Sequence, residues 1–150
     1  MSKRAVNLLR KVMSPEMTPS FGGVRLNLDA AAAPGASTQT ITIAQILTGI
    51  LYDDPEGAAT WTLPTAALAV AGVGNVQVGD CIDFSVINDA TSGANEIITM
   101  AVGTNGTAAG NMLVAGPNVV EDQENAGSGL FRLRFTTVTG DGAYTCYRLA

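Results

Sequence analysis

The sequence of 150 residues contains no histidine and only two cysteines. Without histidine the chain cannot form a Ser-His-Asp or Cys-His nucleophile, an imidazole proton relay or a histidine-ligated metal site. Two cysteines alone do not complete a structural zinc site. These absences exclude the commonest catalytic and metal-binding arrangements, and we expect no cofactor and no enzymatic activity.

Charged residues are scarce, at 14% of the chain, whereas 47% of the residues are hydrophobic. This composition predicts an ordered globular domain, and 150 residues are enough for a core without disulfide or metal support. Because so little charge covers the surface, we expect identical subunits or another partner to cover part of it. Apolar runs are shorter than the ~20 residues of a membrane span, and Arg10 and Lys11 interrupt any signal-peptide core, so we expect no membrane partner.

The net charge of −5 is distributed unevenly. Residues 1–25 hold five basic residues and one acid, whereas residues 26–150 hold three arginines and twelve acids. An acidic body argues against nucleic-acid binding there, because phosphate contacts need clustered lysine and arginine.

Residues 3–13 predict a short amphipathic helix that Ser14-Pro15 ends. A helix of three turns is not stable alone in water, so we expect it to be ordered only when docked. A solvated terminus and weak membrane-surface binding remain open beside a partner-docking arm. We divide the chain into a basic N-terminal docking arm with its linker (residues 1–23) and a β-sandwich domain (residues 24–150). The expected partner-binding residues of the arm are Lys3, Arg4, Leu8, Leu9, Arg10, Lys11 and Val12.

The clearest pattern lies near the C-terminal end. Residues 128–138 alternate, and a glycine-flanked aspartate turn separates them from the aromatic and β-branched residues 143–149, which predicts an antiparallel hairpin. Residues 81–88 alternate in the same way and are its best partner strand. Asp83 would then meet Arg132 or Arg134 across the strands. The expected core residues are Trp61, Ile82, Phe84, Val86, Phe131, Leu133 and Phe135.

Turn signals recur at short intervals along the rest of the body, which predicts an all-β fold, an antiparallel β-sandwich or a jelly-roll-like barrel with one or two short helices. Asn105-Gly106 predicts a tight hairpin between two extended runs. Pro64 is expected at the first position of a short helix. Further strands are predicted at residues 24–29, 39–43, 50–52, 60–63, 96–102 and 107–114, a short helix or turn at 44–49 and a helix at 65–71.

Two chemical alternatives concern the acidic clusters and the cysteines. The carboxylates at 53, 54 and 56 and at 121, 122 and 124 lie in predicted turns, where solvated acids are the rule, although a calcium ion or a hydrolase using Asp53 or Glu56 stays open. Cys81 and Cys146 would form a disulfide only if their strands face each other, and we favour reduced cysteines.

Five blocks carry a resemblance to a known class of proteins. They are WTLPTAA (61–67), VGD (78–80), DFxVIN (83–88), FRxRFTxVT (131–139) and AYTxYRL (143–149). Over residues 45–149 the chain resembles small β-rich virion proteins of double-stranded DNA viruses, including tailed bacteriophages and some large algal viruses.

The resemblance implies a non-enzymatic virion component on the capsid exterior or tail, commonly trimeric and assembled in the host cytoplasm. We hypothesise a capsid decoration (cement) protein whose arm binds the major capsid (coat) protein and whose bodies associate through apolar faces. The alternative is a receptor- or carbohydrate-binding head of a spike or tail fibre, with Trp61, Tyr144 and Tyr147 lining an exposed groove.

Overall fold

The computed structural model describes residues 30–90, 96–116 and 127–150. The arm, the predicted strand at 24–29 and the acidic residues 121, 122 and 124 lie outside these ranges. The elements are β1 (Gln39–Thr40), α1 (Ile43–Leu47), β2 (Ile50–Asp53), β3 (Ala59–Thr62), α2 (Ala66–Val73), β4 (Cys81–Asn88), β5 (Ile97–Ala101), β6 (Gly106–Ala109), β7 (Leu113–Ala115), β8 (Ser128–Thr137) and β9 (Ala143–Arg148).

The strands form two mixed sheets. One has the order β2-β4-β8-β9-β6, with β4, β8 and β9 antiparallel and the two edge strands parallel to their neighbours. The other has the order β1-β3-β5-β7, in which only the β5–β7 pair is antiparallel. The β-rich prediction is confirmed, but the purely antiparallel or jelly-roll architecture is wrong.

The parallel pairs follow from the path of the chain. From β1 to β8, successive strands alternate between the two sheets. Neighbours such as β1 and β3, or β2 and β4, are therefore joined by long crossover connections, which parallel pairing requires. The predicted antiparallel architecture contains no such parallel pairs.

The predicted C-terminal hairpin is confirmed. Strand β8 pairs antiparallel with β9, and Leu133 lies opposite Cys146. The turn contains Gly140 and Gly142, both at positive φ (62° and 65°), a region that glycine adopts without steric cost. On its other side β8 pairs with β4, so the predicted partner strand is confirmed as well.

The core lies between the inner faces of the two sheets. The four-stranded sheet contributes Trp61, Ile98 and Met100, all buried. Phe84 of β4 and Phe131 of β8 stack with ring centroids 5.7 Å apart. Ile82 is only partly buried and packs at the margin of this core. The five-stranded sheet contributes Phe84, Val86, Phe131, Leu133, Phe135, Tyr144 and Cys146.

Two short helices pack against each other. Thr42 begins α1 with a capping box, since its hydroxyl accepts the N–H of Gln45 (3.2 Å) and its own N–H donates to the Gln45 side chain (2.8 Å). Thr65 is the N-cap of α2, so Pro64 precedes the cap instead of occupying the first helical position, a correction to the predicted boundary. A Cβ on Gly72 would lie 2.1 Å from Ile43 Cγ2, so this glycine permits the close approach of the two helices.

The predicted Asn105-Gly106 hairpin is wrong. Asn105 does adopt a positive φ of 62°, as a tight turn requires. However, the strand before the turn, β5, pairs with β7, whereas the strand after it, β6, pairs in parallel with β9. The turn therefore transfers the chain from one sheet to the other.

The buried phenol of Tyr144 ties two connections together. Its oxygen accepts the N–H of Gly103 (3.0 Å) and donates to the carbonyl of Pro64 (2.9 Å). Burial raises the pKa of Tyr144 to about 12. The hydroxyl thus joins the turn after β5 to the segment before α2.

We predict that Tyr144→Phe lowers the free energy of unfolding by about 1–3 kcal/mol, because it leaves the buried Pro64 carbonyl and Gly103 N–H without their partner. Urea denaturation measures the loss. Tyr147→Phe is the matched control, since Tyr147 is half-buried on the opposite face of the same strand, and it should change stability by less than about 0.5 kcal/mol. Equal losses in the two variants would contradict this role.

Candidate interaction surface

The outward face of the five-stranded sheet carries large apolar side chains. In β4, alternation directs Phe84 and Val86 into the core and Ile87 outward. In β8, it directs Phe131 into the core and Leu130 outward. We call the exposed set the outer apolar patch. Its members are Ile50 (41% exposed), Tyr52 (41%), Ile87 (36%), Leu130 (37%) and Leu149 (45%).

The strand registers place the members of this patch in two adjacent rows. Tyr52 on β2 lies directly opposite Ile87 on β4. In the adjacent row the Leu149 N–H donates to the Leu130 carbonyl (2.8 Å), which holds these two leucines side by side. Side chains directly opposite each other on neighbouring strands have Cβ atoms about 5 Å apart, so such pairs touch. That row crosses the sheet as Ile50, Ser85, Leu130 and Leu149.

An ion pair borders the patch. The guanidinium of Arg132 contacts both carboxylate oxygens of Asp83, with Nε–Oδ1 and Nη2–Oδ2 distances of 2.7 Å. The sequence left Arg132 and Arg134 open, and the register selects Arg132, which lies opposite Asp83. The hydrogen bonds from Arg132 lower the pKa of Asp83, although desolvation opposes this shift. Both side chains are more than 40% exposed, so the pair forms a polar rim.

The outer face of the four-stranded sheet differs from that of the five-stranded sheet. None of its four strands contains a charged residue. Its outward positions are mainly small or hydroxyl-bearing, with Leu113 as the exposed large apolar residue. The large outward side chains of the sandwich are therefore concentrated on the other sheet, in the outer apolar patch.

The cysteines do not pair. Cys81 is exposed on the outward face of β4, and Cys146 is buried on the inward face of β9. Strand β8 lies between them, and both thiols are free. Burial raises the pKa of Cys146 to about 12, which keeps this thiol protonated.

The proposed aromatic groove is wrong. Trp61 and Tyr144 are buried, with 0% and 1% of their surfaces exposed. Tyr147 points to the opposite side of β9 from Tyr144. The three rings therefore share no exposed face, and Trp61 is a core residue.

The side chain of Asp53 has a structural role in the described chain. Its carboxylate accepts the backbone N–H groups of Gly35 and Asp54, which fixes the loop before β1 against the end of β2. Across the described ranges, no group of three or more acidic or cysteine side chains is placed to hold a metal ion. The second acidic cluster lies outside those ranges, and so do the predicted arm residues Lys3, Arg4, Leu8, Leu9, Arg10, Lys11 and Val12.

Sequence reasoning missed the outer apolar patch, although the sequence carried a signal. Each contributing strand holds consecutive large apolar residues, as in Leu130-Phe131 and Leu51-Tyr52. In a strand, consecutive residues point to opposite faces, so such a pair places an apolar side chain on each face. The described helices include none with the length and apolar character to cross a bilayer.

Comparison with protein-family models, with curated proteins and with solved structures found no match. The outer apolar patch is therefore the main structural guide to function.

We predict that Arg132→Gln raises the pKa of Asp83 toward its ordinary value of 3.8, because it removes the hydrogen bonds and positive charge that favour the carboxylate. An NMR titration of the Asp83 carboxyl carbon measures this shift, with Arg134→Gln as the control. Since the folded-state pKa of Asp83 is depressed, its contribution to stability is present above about pH 4 and is lost as the pH falls through the folded-state pKa. Equal shifts in the two variants would contradict the assignment.

Proposed function

We propose that this protein is a non-enzymatic virion component, a capsid decoration (cement) protein on the capsid exterior. Its bodies associate, as a trimer, through the outer apolar patch, and its basic arm binds the major capsid protein. The observation that carries the proposal is the patch, which places five exposed large apolar side chains in two neighbouring rows on one sheet face. The resemblance of residues 45–149 to small virion proteins supports the same function.

The patch has the layout of a protein interface. Interfaces between subunits combine an apolar centre with a polar, solvent-accessible rim. Here the apolar side chains of β2, β4 and β8 form the centre, and the Asp83–Arg132 pair lies beside them. Burying apolar surface stabilises association by about 25 cal/mol per Å² removed from water. Self-association would thus cover apolar surface that a soluble monomer leaves exposed.

The charge distribution supports attachment through the arm. The arm is basic, whereas the rest of the chain is acidic. The arm is therefore suited to a partner with an acidic surface. Its apolar residues Leu8, Leu9 and Val12 would insert into the coat surface, and its cations would meet acidic groups there. Three arms in one trimer bind far more tightly than one, because later contacts form at high effective concentration.

The receptor- or carbohydrate-binding alternative is less favoured. It depended on an exposed groove with Trp61 and Tyr144, and both residues are buried. Among the described residues, Tyr147 is the remaining member of that set with partial exposure. A glycan that quenched or shifted Trp61 fluorescence would revive this alternative.

We predict that Leu130→Glu converts the assembled protein into single chains of 15.3 kDa, because it places a charge at the centre of the patch. Sedimentation velocity measures the mass. Val78→Glu is the matched control, since Val78 is 61% exposed but lies beyond the far end of β4, and it should leave assembly unchanged. A wild-type protein that sediments as a single chain would refute self-association.

We predict that deleting residues 2–23 leaves the body folded but abolishes attachment to virus particles, because the arm supplies the coat contacts. Co-sedimentation with particles that lack the protein measures attachment, and circular dichroism checks the fold. The full-length chain is the positive control. Attachment retained by the shortened chain would rule out the arm as the binding element.

A further inference from the structure

The outer apolar patch continues past β2 onto the start of the described chain. Ala32 pairs in parallel with Leu51 of β2, its N–H donating to the Ile50 carbonyl and its carbonyl accepting the Tyr52 N–H, both at 3.0 Å. Strand β2 is the terminal strand of the five-stranded sheet, so this pairing places residues 30–33 along the outer edge of that sheet. We call residues 30–33 the edge segment.

The register of this pairing decides which side chains of the edge segment face outward. Since side chains alternate along an extended chain, Ala32 points inward, where it packs against the core. One residue before it, Ala31 lies level with Ile50. One residue after it, Ala33 lies level with Tyr52, and both outward alanines are exposed. The edge segment therefore adds one position to each row of the outer apolar patch.

The extended rows are free of charge. One row consists of Ala31, Ile50, Ser85, Leu130 and Leu149. The other consists of Ala33, Tyr52, Ile87 and Ser128. Neighbouring strands lie about 4.8 Å apart, so the longer row spans about 20 Å across the sheet. The outward face thus presents a broad uncharged strip that ends at the edge segment.

The chain that follows the edge segment is also held in place. Gly35, at a positive φ of 118°, donates its N–H to the Asp53 carboxylate, and its carbonyl accepts the side-chain amide of Gln39 (2.9 Å). The hydrogen bonds of Ala32 hold the segment itself to β2. A surface whose backbone is already fixed loses little conformational freedom when a partner covers it. The edge segment is therefore suited to be part of a stable contact.

The charges of the body favour a second copy of this chain as the partner. Residues 26–150 carry three arginines and twelve acids, so two bodies repel each other unless they meet where charge is absent. The uncharged strip is such a surface, and the adjacent Asp83–Arg132 pair presents both signs of charge to a facing copy.

We propose that a second copy covers the edge segment together with the outer apolar patch, so that the N-terminal part of each chain joins its body at the subunit contact. This inference rests on the proposed self-association. Because residue 30 marks the point where that part of the chain joins the body, assembly brings these points together. Coat contacts made by one arm then hold the next arm at high effective concentration.

Thiol alkylation of the full-length chain tests the proposal. Single cysteines are introduced as Ala31→Cys or Ala33→Cys in a Cys81→Ser background, in which the remaining Cys146 is buried. A maleimide should modify them several-fold more slowly when the protein is assembled than after dilution, because a second copy covers them. The matched control is Val78→Cys, since Val78 is 61% exposed and lies beyond the far end of β4, and its rate should not change on assembly.

Sedimentation velocity on the same samples separates this inference from the proposed self-association. Adding Leu130→Glu should make the introduced thiols react rapidly at every concentration. An assembled protein whose thiols react as fast as they do with Leu130→Glu would overturn the inference and leave self-association standing. A protein that sediments as a single chain at every concentration would overturn both.

Two further outcomes would assign the edge segment to another partner. Protection that persists in the single-chain Leu130→Glu variant would mean that the same chain covers the segment. Protection that appears only on virus particles would mean that the coat covers it. Either result would overturn the proposal.

Discussion

The fold depends on the packing of two sheet faces against each other, with the Phe84–Phe131 stack on one side and Trp61 on the other. A strand in a two-layer sandwich has one face for this core, so the second face must be solvated or covered by something else. On β8, Phe131 lies on the core face and Leu130 on the outer face. The outer apolar patch is the direct consequence, and it connects the architecture to the proposed assembly.

Sequence reasoning succeeded where the determining interactions are local. The β8–β9 hairpin follows from alternation and a glycine-containing turn, and the Asp83–Arg132 pair follows once β4 is its neighbour. Sheet order was not predictable in this way. The Asn105-Gly106 turn fixes the backbone at one point, but which sheet receives the next strand depends on long-range packing. Turn chemistry alone therefore suggested a hairpin where the chain changes sheets.

The candidate site was less predictable than the core. Burial of Trp61 and Tyr144 removed the aromatic groove, because a large ring contributes more by filling the core than by lying exposed. The patch residues looked like ordinary strand formers, and their exposure became clear only when the strands were ordered. The low charge led us to expect apolar surface that a partner covers. The outer apolar patch is exposed apolar surface on the described residues, and its burial in an assembly is our proposal.

The most direct test of self-association through the outer apolar patch is hydroxyl-radical footprinting of the wild-type protein at increasing concentration. The account predicts that labelling of Tyr52, Ile87, Leu130 and Leu149 falls as the protein assembles, while labelling of Val78 stays constant. Concentration-independent labelling of the patch, or protection confined to the four-stranded sheet at Leu113, would contradict it.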